Sequence, residues 1–267
     1  MTYADDGGHV VADPTEKGCI EKAELVCKRM AAWYDKVGLT MNARKTEVVC
    51  FGFGRNFDGG VSVKGELIKP STTIKFLGVK IDNDLGMKSQ VKHVADKLRY
   101  SAANIRKQST GTNLKERIIL YNAWIKGTVM SNGLAYLPCL NNDQLKEIQT
   151  AMNSGIRAIL RKPKYGYFPI STFRASLKLE TIEAIRDKIM GFEAWKQREK
   201  FMKLQSNGGG METRARKKLN LIAPDQRGWR GKKVATKIQQ IWNSIPLTIK
   251  MENNVAKARK AIKRLSL

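Results

Sequence analysis

Cysteine and histidine are scarce in this sequence. Its four cysteines, Cys19, Cys27, Cys50 and Cys139, show no close-paired spacing. That argues against a disulfide scaffold and a cysteine zinc site, and makes a reducing compartment the default. The two histidines, His9 and His93, stand far apart, so no Cys/His zinc knuckle can be assembled. No apolar run approaches the roughly 20 residues that span a bilayer, and no membrane partner is expected. The opening Met-Thr-Tyr-Ala-Asp-Asp is not a secretory signal. An intracellular protein is expected, with nucleus and cytoplasm undistinguished. No internal repeat is visible. Acidic residues are also few: 24 Asp+Glu face 49 Lys+Arg, a formal net charge of +25. A surplus that large points away from a small neutral metabolite and toward a polyanion.

What is present is a chain able to fold. Its 267 residues are 42% hydrophobic and 27% charged, enough for one large domain or two small ones with a real core. The charge is lopsided. Residues 1–82 hold 12 basic and 11 acidic residues, whereas residues 83–267 hold 37 and 13. Residues 196–267 alone carry 19 basic and 4 acidic residues. A balanced compact part followed by a polyanion-facing part fits this asymmetry. Solvated, lysine-rich helix faces are the plainer reading of any single basic cluster.

Periodicity predicts an α+β chain. Asp5-Asp6-Gly7-Gly8 reads as a hairpin turn that pairs Met1–Ala4 with the apolar stretch 9–12 and leaves His9 facing solvent. Asp13 as N-cap, Pro14 at the first helical position and Glu16 completing a capping box predict a helix over 14–37. Ile20, Ala23, Cys27, Met30, Ala31, Tyr34 and Val37 form its stripe, and Gly38 ends it. Val48–Phe51 reads as a buried strand. Lys64-Gly65 is a hairpin turn between 61–63 and 67–68, and 75–82 reads as a strand with a glycine inside it. From about residue 86 the period becomes helical. Val91, Val94, Leu98, Ala102 and Ile105 form one stripe, which leaves the isolated His93 on a helix surface. Capping boxes at Asn113–Glu116 and Asn141–Gln144 open two further helices of a small bundle. Pro163–Pro169 is a break, a helix runs over about 179–205, and Ser206–Gly210 is a flexible linker before a basic tail. The expected parts are therefore 1–85, 86–165 and 166–267.

Asp5 and Asp6 are the only candidate catalytic carboxylates. Neighbouring strand residues point to opposite faces, so they can share a metal only if the chain turns beside them. Two carboxylates on a hairpin tip are the oxygen ligands Mg²⁺ takes, and a pair of such ions can clamp both oxygens of a phosphoryl transfer. Asp-Asp-Gly is equally a common exposed turn.

The surrounding segments carry a resemblance. Tyr3-Ala4-Asp5-Asp6 resembles the YADD motif of reverse transcriptases. After it come a helix with Met30-Ala31-Ala32-Trp33, then Gly38-Leu39-Thr40-Met41-Asn42-Ala43-Arg44-Lys45-Thr46-Glu47, then Phe76-Leu77-Gly78-Val79-Lys80-Ile81-Asp82. This order resembles non-LTR retrotransposon (LINE-type) reverse transcriptases over about residues 1–200, with 145–149 similar to the region beyond their thumb. The resemblance implies a palm remnant with primer-grip-like strands over 1–85, a thumb over 86–165 and a basic helical region over 166–267. It implies Mg²⁺ as cofactor, held by Asp5 with Asp6 beside it, and an RNA template and RNA–DNA duplex as partners; no residue pattern points to an obligate protein partner. Tyr3 and Ala4 would lie under the primer terminus. Lys45 would stand near the incoming nucleotide, where a cation can assist the leaving pyrophosphate; the alternative is an ordinary surface lysine. Asn42 would shape its turn. Phe76, Leu77 and Gly78 would form the primer grip, and Lys88, Lys92, Lys97 and Arg99 would touch phosphates, which position a duplex without reading it.

Departures from the family are equally plain. Only two residues precede Tyr3, and neither fingers, nor a second palm aspartate, nor a nucleotide pocket can be found. Gly7-Gly8-His9 is more polar than the run that usually comes after the motif, and nothing resembles an endonuclease. The expectation is a reverse transcriptase fragment, catalytically incomplete alone. The alternative is a non-catalytic basic RNA- or DNA-binding protein.

Overall fold

The structure, a computed structural model, describes residues 2–3, 6–52, 59–163, 165–199 and 229–265. It is mixed α+β and mostly helical, and divides into two compact units, Met1–Gln90 and Val91–Leu267. Among the described residues no helix is long and apolar enough to cross a membrane.

The first unit holds three separate antiparallel pairs rather than one sheet among its described residues. In the first, β1 (Thr2–Tyr3) pairs with β2 (Asp6–Gly7), with Tyr3 opposite Asp6. The strand continuing Asp6 is thus Gly7, and residues 9–12 are not paired as expected; His9 is exposed but lies outside any strand. The Tyr3–Asp6 pair gives Asp6 a ladder position and puts Gly7 in β2, with Gly8 just past it.

Helix α1 spans Glu16–Lys36, two residues shorter at its start than predicted. Thr15, not Asp13, is the N-cap, accepting from Gly18 N at 3.1 Å. Asp13 instead binds Thr15 N and Oγ1 and pairs with Lys22 at 2.7 Å. The Lys22 ammonium and the Thr15 donors hold its carboxyl down at about 2. Gly38, at φ 75°, ends the helix as expected. The predicted apolar stripe is only half-buried, and no residue of α1 is fully buried.

Strands β3 (Val61–Val63) and β4 (Glu66–Ile68) form a hairpin on α1. Its two turn residues, Lys64 and Gly65, both take positive φ, the conformation of a two-residue turn that matches strand twist. Glu24 of α1 accepts from Ser62 N at 3.0 Å, and Asp35 holds Lys64 at 3.2 Å. Val48–Phe51 is not the predicted strand. Ser71 N donates to Val48 O at 2.8 Å, but no ladder forms, and an apolar run without a partner strand stays irregular.

Residues 75–82, read from periodicity as one strand and from the resemblance as a strand pair turning at Phe76–Gly78, form a hairpin, β5 (Thr73–Phe76) with β6 (Val79–Asp82). Its turn is Leu77-Gly78, at φ 46° and 82°. Asp82 is buried and ties this hairpin to the next helix, α2 (Lys88–Gln108). It accepts from Thr73 Oγ1 at 3.0 Å and from Ser89 N, in the first turn of α2, at 3.1 Å. Burial alone would raise its pKa, but the Ser89 and Thr73 hydrogen bonds more than offset this and hold it below the usual carboxylate value.

In the second unit, α2 buries Val91, Val94, Ala95, Leu98, Ala102 and Ile105, the expected stripe. His93 is half-buried rather than on the surface. Both capping boxes form. Asn113 and Glu116 exchange bonds of 3.0 and 2.9 Å at the start of α3 (Leu114–Leu120), and Asn141 and Gln144 do so at α6 (Asn142–Ile159). Between them the helix passes through a π-helical turn, Tyr121–Lys126, then α4 (Gly127–Met130) and α5 (Gly133–Tyr136). The π turn lies on α6, where Gly155 leaves room for Tyr121 and Ile125.

A short helix, α7 (Ile170–Ser176), was not anticipated. Helix α8 spans Ile182–Lys196 within the predicted 179–205; Thr181 sets its start by accepting from Ala184 N, and Gln197 is its C-cap. Part of that prediction, the 206–210 linker and much of the basic tail lie outside the described residues. Helices α9 (Trp229–Ser244), α10 (Leu247–Lys250) and α11 (Val255–Arg264) complete the unit, α9 and α11 both against α8. Trp242 and Ile245 pack on Ala194, and Ala258 and Ile262 on Trp195, whose indole donates to Ile249 O at 3.0 Å. Buried Asp187 of α8 takes Lys237 at 3.1 Å. Lys250 is buried with its ammonium 5.2 Å from the Trp242 ring, and burial pushes its pKa down to about 8.

Candidate nucleic-acid interface

Residues in or beside all four motif segments meet in the first unit. Gly8, just past β2, lies against the Phe76 ring: a Cβ there would stand 2.9 Å from Phe76 Cε2. A Cβ on Gly7 would meet the Tyr34 hydroxyl at 3.2 Å. The two glycines are thus a close passage between helix and hairpin, which accounts for the missing apolar side chains after Asp6. Glu47 closes the set, accepting from Lys75 N at 3.1 Å beside Phe76.

Not all of the expected site residues come together. Ala4 and Asp5 lie outside the described residues; Tyr3 and Asp6 are ladder partners in β1 and β2. Lys45 is exposed at the end of a single 3₁₀ turn, Ala43–Lys45. That turn is shaped by the Asn42 carbonyl, which accepts from Lys45 N at 3.2 Å and Thr46 Oγ1 at 3.0 Å. Phe76 and Leu77 are half-buried and Gly78 is exposed, so the turn of β5–β6 is an accessible tip. Leu77 takes a left-handed conformation that favours glycine or asparagine, the kind of local strain found at functional turns.

A two-ion Mg²⁺ site needs several oxygen ligands from more than one strand. Among the described residues no three Asp, Glu, His or Cys side chains gather to hold an ion. Asp5 and the side chain of Asp6, the two expected ligands, lie outside the described residues.

The basic side chains are better placed. On α2, Lys88, Lys92, Lys97, Arg99, Arg106 and Lys107 are all exposed, against one acidic residue, Asp96. Lys92, Arg99 and Arg106 recur every seven residues, which keeps them on one side of the helix. Arg99 is held by Asp96 at 2.8 Å, and Lys88 lies 4.0 Å from Asp84. Among the described residues, Lys92, Lys97, Arg106 and Lys107 have no carboxylate partner. An amphipathic helix with one apolar face in the core and an under-neutralised basic face outside can meet a phosphate backbone.

A second basic element was read in the sequence only as a break. Between Glu147 and Glu180 lie six basic residues and no acidic one, and 161–168 reads Arg-Lys-Pro-Lys-Tyr-Gly-Tyr-Phe. Basic and aromatic interleaving was the signal that could have marked it. Arg106, at the end of the α2 stripe, donates to Lys162 O at 2.8 Å and so brings this loop to the stripe. No protein-family model, curated protein or solved structure matches the chain.

Proposed function

We propose that this chain is the C-terminal part of a LINE-type reverse transcriptase, a palm remnant followed by a thumb and basic region, that grips RNA and RNA–DNA duplex. The observation that carries this reading is the order of four motif segments, Tyr3–Asp6, the Trp33 helix, Gly38–Glu47 and Phe76–Asp82. The contacts of Gly8 with Phe76 and of Glu47 with Lys75 support it, since segments of one site should lie together. In this role Asp5 and Asp6 are the remaining metal-facing carboxylates, Lys45 faces the nucleotide, the Phe76–Gly78 tip faces the primer, and α2 faces phosphates.

The α2 face also supports a second reading, a non-catalytic binding protein for RNA or DNA, because its cations need no active site to act. Both readings expect sequence-tolerant, salt-dependent binding. If about six phosphates are neutralised, log K against log salt should fall with a slope of about −5. Fluorescence anisotropy of a labelled RNA–DNA duplex across a salt series measures this. Lys92→Glu with Lys97→Glu should weaken binding and flatten the slope by about 2. A slope near zero for the parent would refute both readings.

A further inference from the structure

The loop from Leu160 to Pro169 holds two tyrosines outward by an unusual amount of bonding. Arg157 donates to Pro163 O at 3.1 Å and to Gly166 O at 2.9 Å. Arg106 takes the carbonyl of Lys162, and the Arg161 guanidinium that of Ser109. Arg157 also lies over the Phe168 ring, which stacks on Phe173 with centroids 4.7 Å apart. Three guanidinium groups and a pair of stacked rings thus fix the loop's path. Tyr165 and Tyr167 stand outward from it, 77% and 97% exposed. An aromatic ring so displayed gives up the burial that stabilises most tyrosines.

We infer that Tyr165 and Tyr167 form a stacking platform for the unpaired bases of single-stranded nucleic acid. The inference rests on the nucleic-acid reading above and gives it a substrate class. Charge favours this occupant, because the loop lies in a stretch of six basic residues without an acidic one and joins the α2 stripe through Arg106. Cations of this kind track a phosphate backbone, while exposed rings accept any base by its π face. A duplex hides those faces between its own base pairs, so the platform selects single strands. Recognition is tolerant of sequence, since stacking reads no hydrogen-bonding edge.

The test is anisotropy of a labelled 12-nucleotide single-stranded RNA and, in parallel, a blunt 20-base-pair duplex, with full-length parent and variants. Tyr165→Ala with Tyr167→Ala should lower single-strand affinity at least about tenfold, leave duplex affinity within about twofold, and leave the salt slope unchanged. Tyr165→Phe with Tyr167→Phe should bind as the parent does, because the ring rather than the hydroxyl carries the contact. The inference is overturned if the double alanine variant holds single strands as well as the parent, or if the phenylalanine variant loses as much as the alanine one. In the first case, with duplex binding intact, the broader nucleic-acid reading survives. A parent that binds neither RNA refutes both. Phosphatidylserine–phosphatidylcholine vesicles form the third arm; alanine-sensitive binding to them, with unchanged RNA binding, would assign the loop to a lipid surface instead.

Discussion

Single residues in this protein often do a job other than the one their type suggests. Asp82 closes a motif-like segment, yet its carboxylate is engaged by its own neighbours. It is enclosed by Thr73 and Ser89, where it satisfies an N–H that the start of α2 leaves open. Replacing it by alanine should cost about 1–2 kcal/mol of stability at neutral pH, the range of a lost helix cap. The pH dependence has a definite sign. Its pKa is lower folded than unfolded, so its contribution is complete above the ordinary carboxylate value, about 4, and disappears as pH falls through the folded one. Denaturation midpoints of parent and Asp82→Ala should differ at pH 7 and converge at pH 2; an equal gap at both would show that the charge is not what matters. Leu77 makes the opposite point. Its left-handed φ of 46° would be relieved by asparagine or glycine, so the leucine stands there against local preference.

At the scale of elements, the helices with strong local signals formed where expected. Asn113 with Glu116, and Asn141 with Gln144, satisfy each other's backbone donors within four residues, so nothing distant is needed. The π-helical turn at Tyr121–Lys126 had no such signal, since it depends on how that segment lies on α6. Gly155 is the condition for that approach: a Cβ there would meet Ile125 Cγ1 at 2.9 Å and Tyr121 Cε2 at 3.0 Å. Alanine normally stabilises a helix by about 1 kcal/mol over glycine. Here Gly155→Ala should instead lower stability by about 1–2 kcal/mol, because overpacking outweighs propensity. A melting temperature at or above the parent's would show that the π turn can move aside. The Tyr121 hydroxyl is buried there without a hydrogen-bond partner among the described residues, and burial pushes its pKa up to about 12.

For the whole molecule, the proposed function separates binding from chemistry. The net charge of +25 and the α2 face act wherever a polyanion comes near. Phosphoryl transfer needs several ligands placed within fractions of an ångström, and each 1.36 kcal/mol lost from the transition state is about tenfold in rate. The chain should therefore bind RNA–DNA duplex yet show no primer extension with Mg²⁺ and all four nucleotides. Extension of a labelled primer on an RNA template, compared between parent and Asp5→Ala, checks this. Extension by the parent that vanishes in the variant would mean that this chain alone carries a working site. Half-burial along the α1 stripe, from Ile20 to Tyr34, with Val37 50% exposed, belongs to the same scale. Its apolar stripe is present in the sequence, but a stripe only becomes core when enough surface lies across from it.

Periodicity, capping residues and charge settled the α2 stripe, the capped starts of α3 and α6, the Lys64-Gly65 turn and the basic second half, because each depends on groups close together in the chain. The motif order was also readable, though not which segments touch. Tertiary structure decided the failure of Val48–Phe51 to become a strand. It also decided the seating of Gly8 under Phe76 and the display of Tyr165 and Tyr167 by arginines from two helices. Strand pairing and loop posture draw on partners tens of residues away, and a local pattern carries no information on which partner arrives.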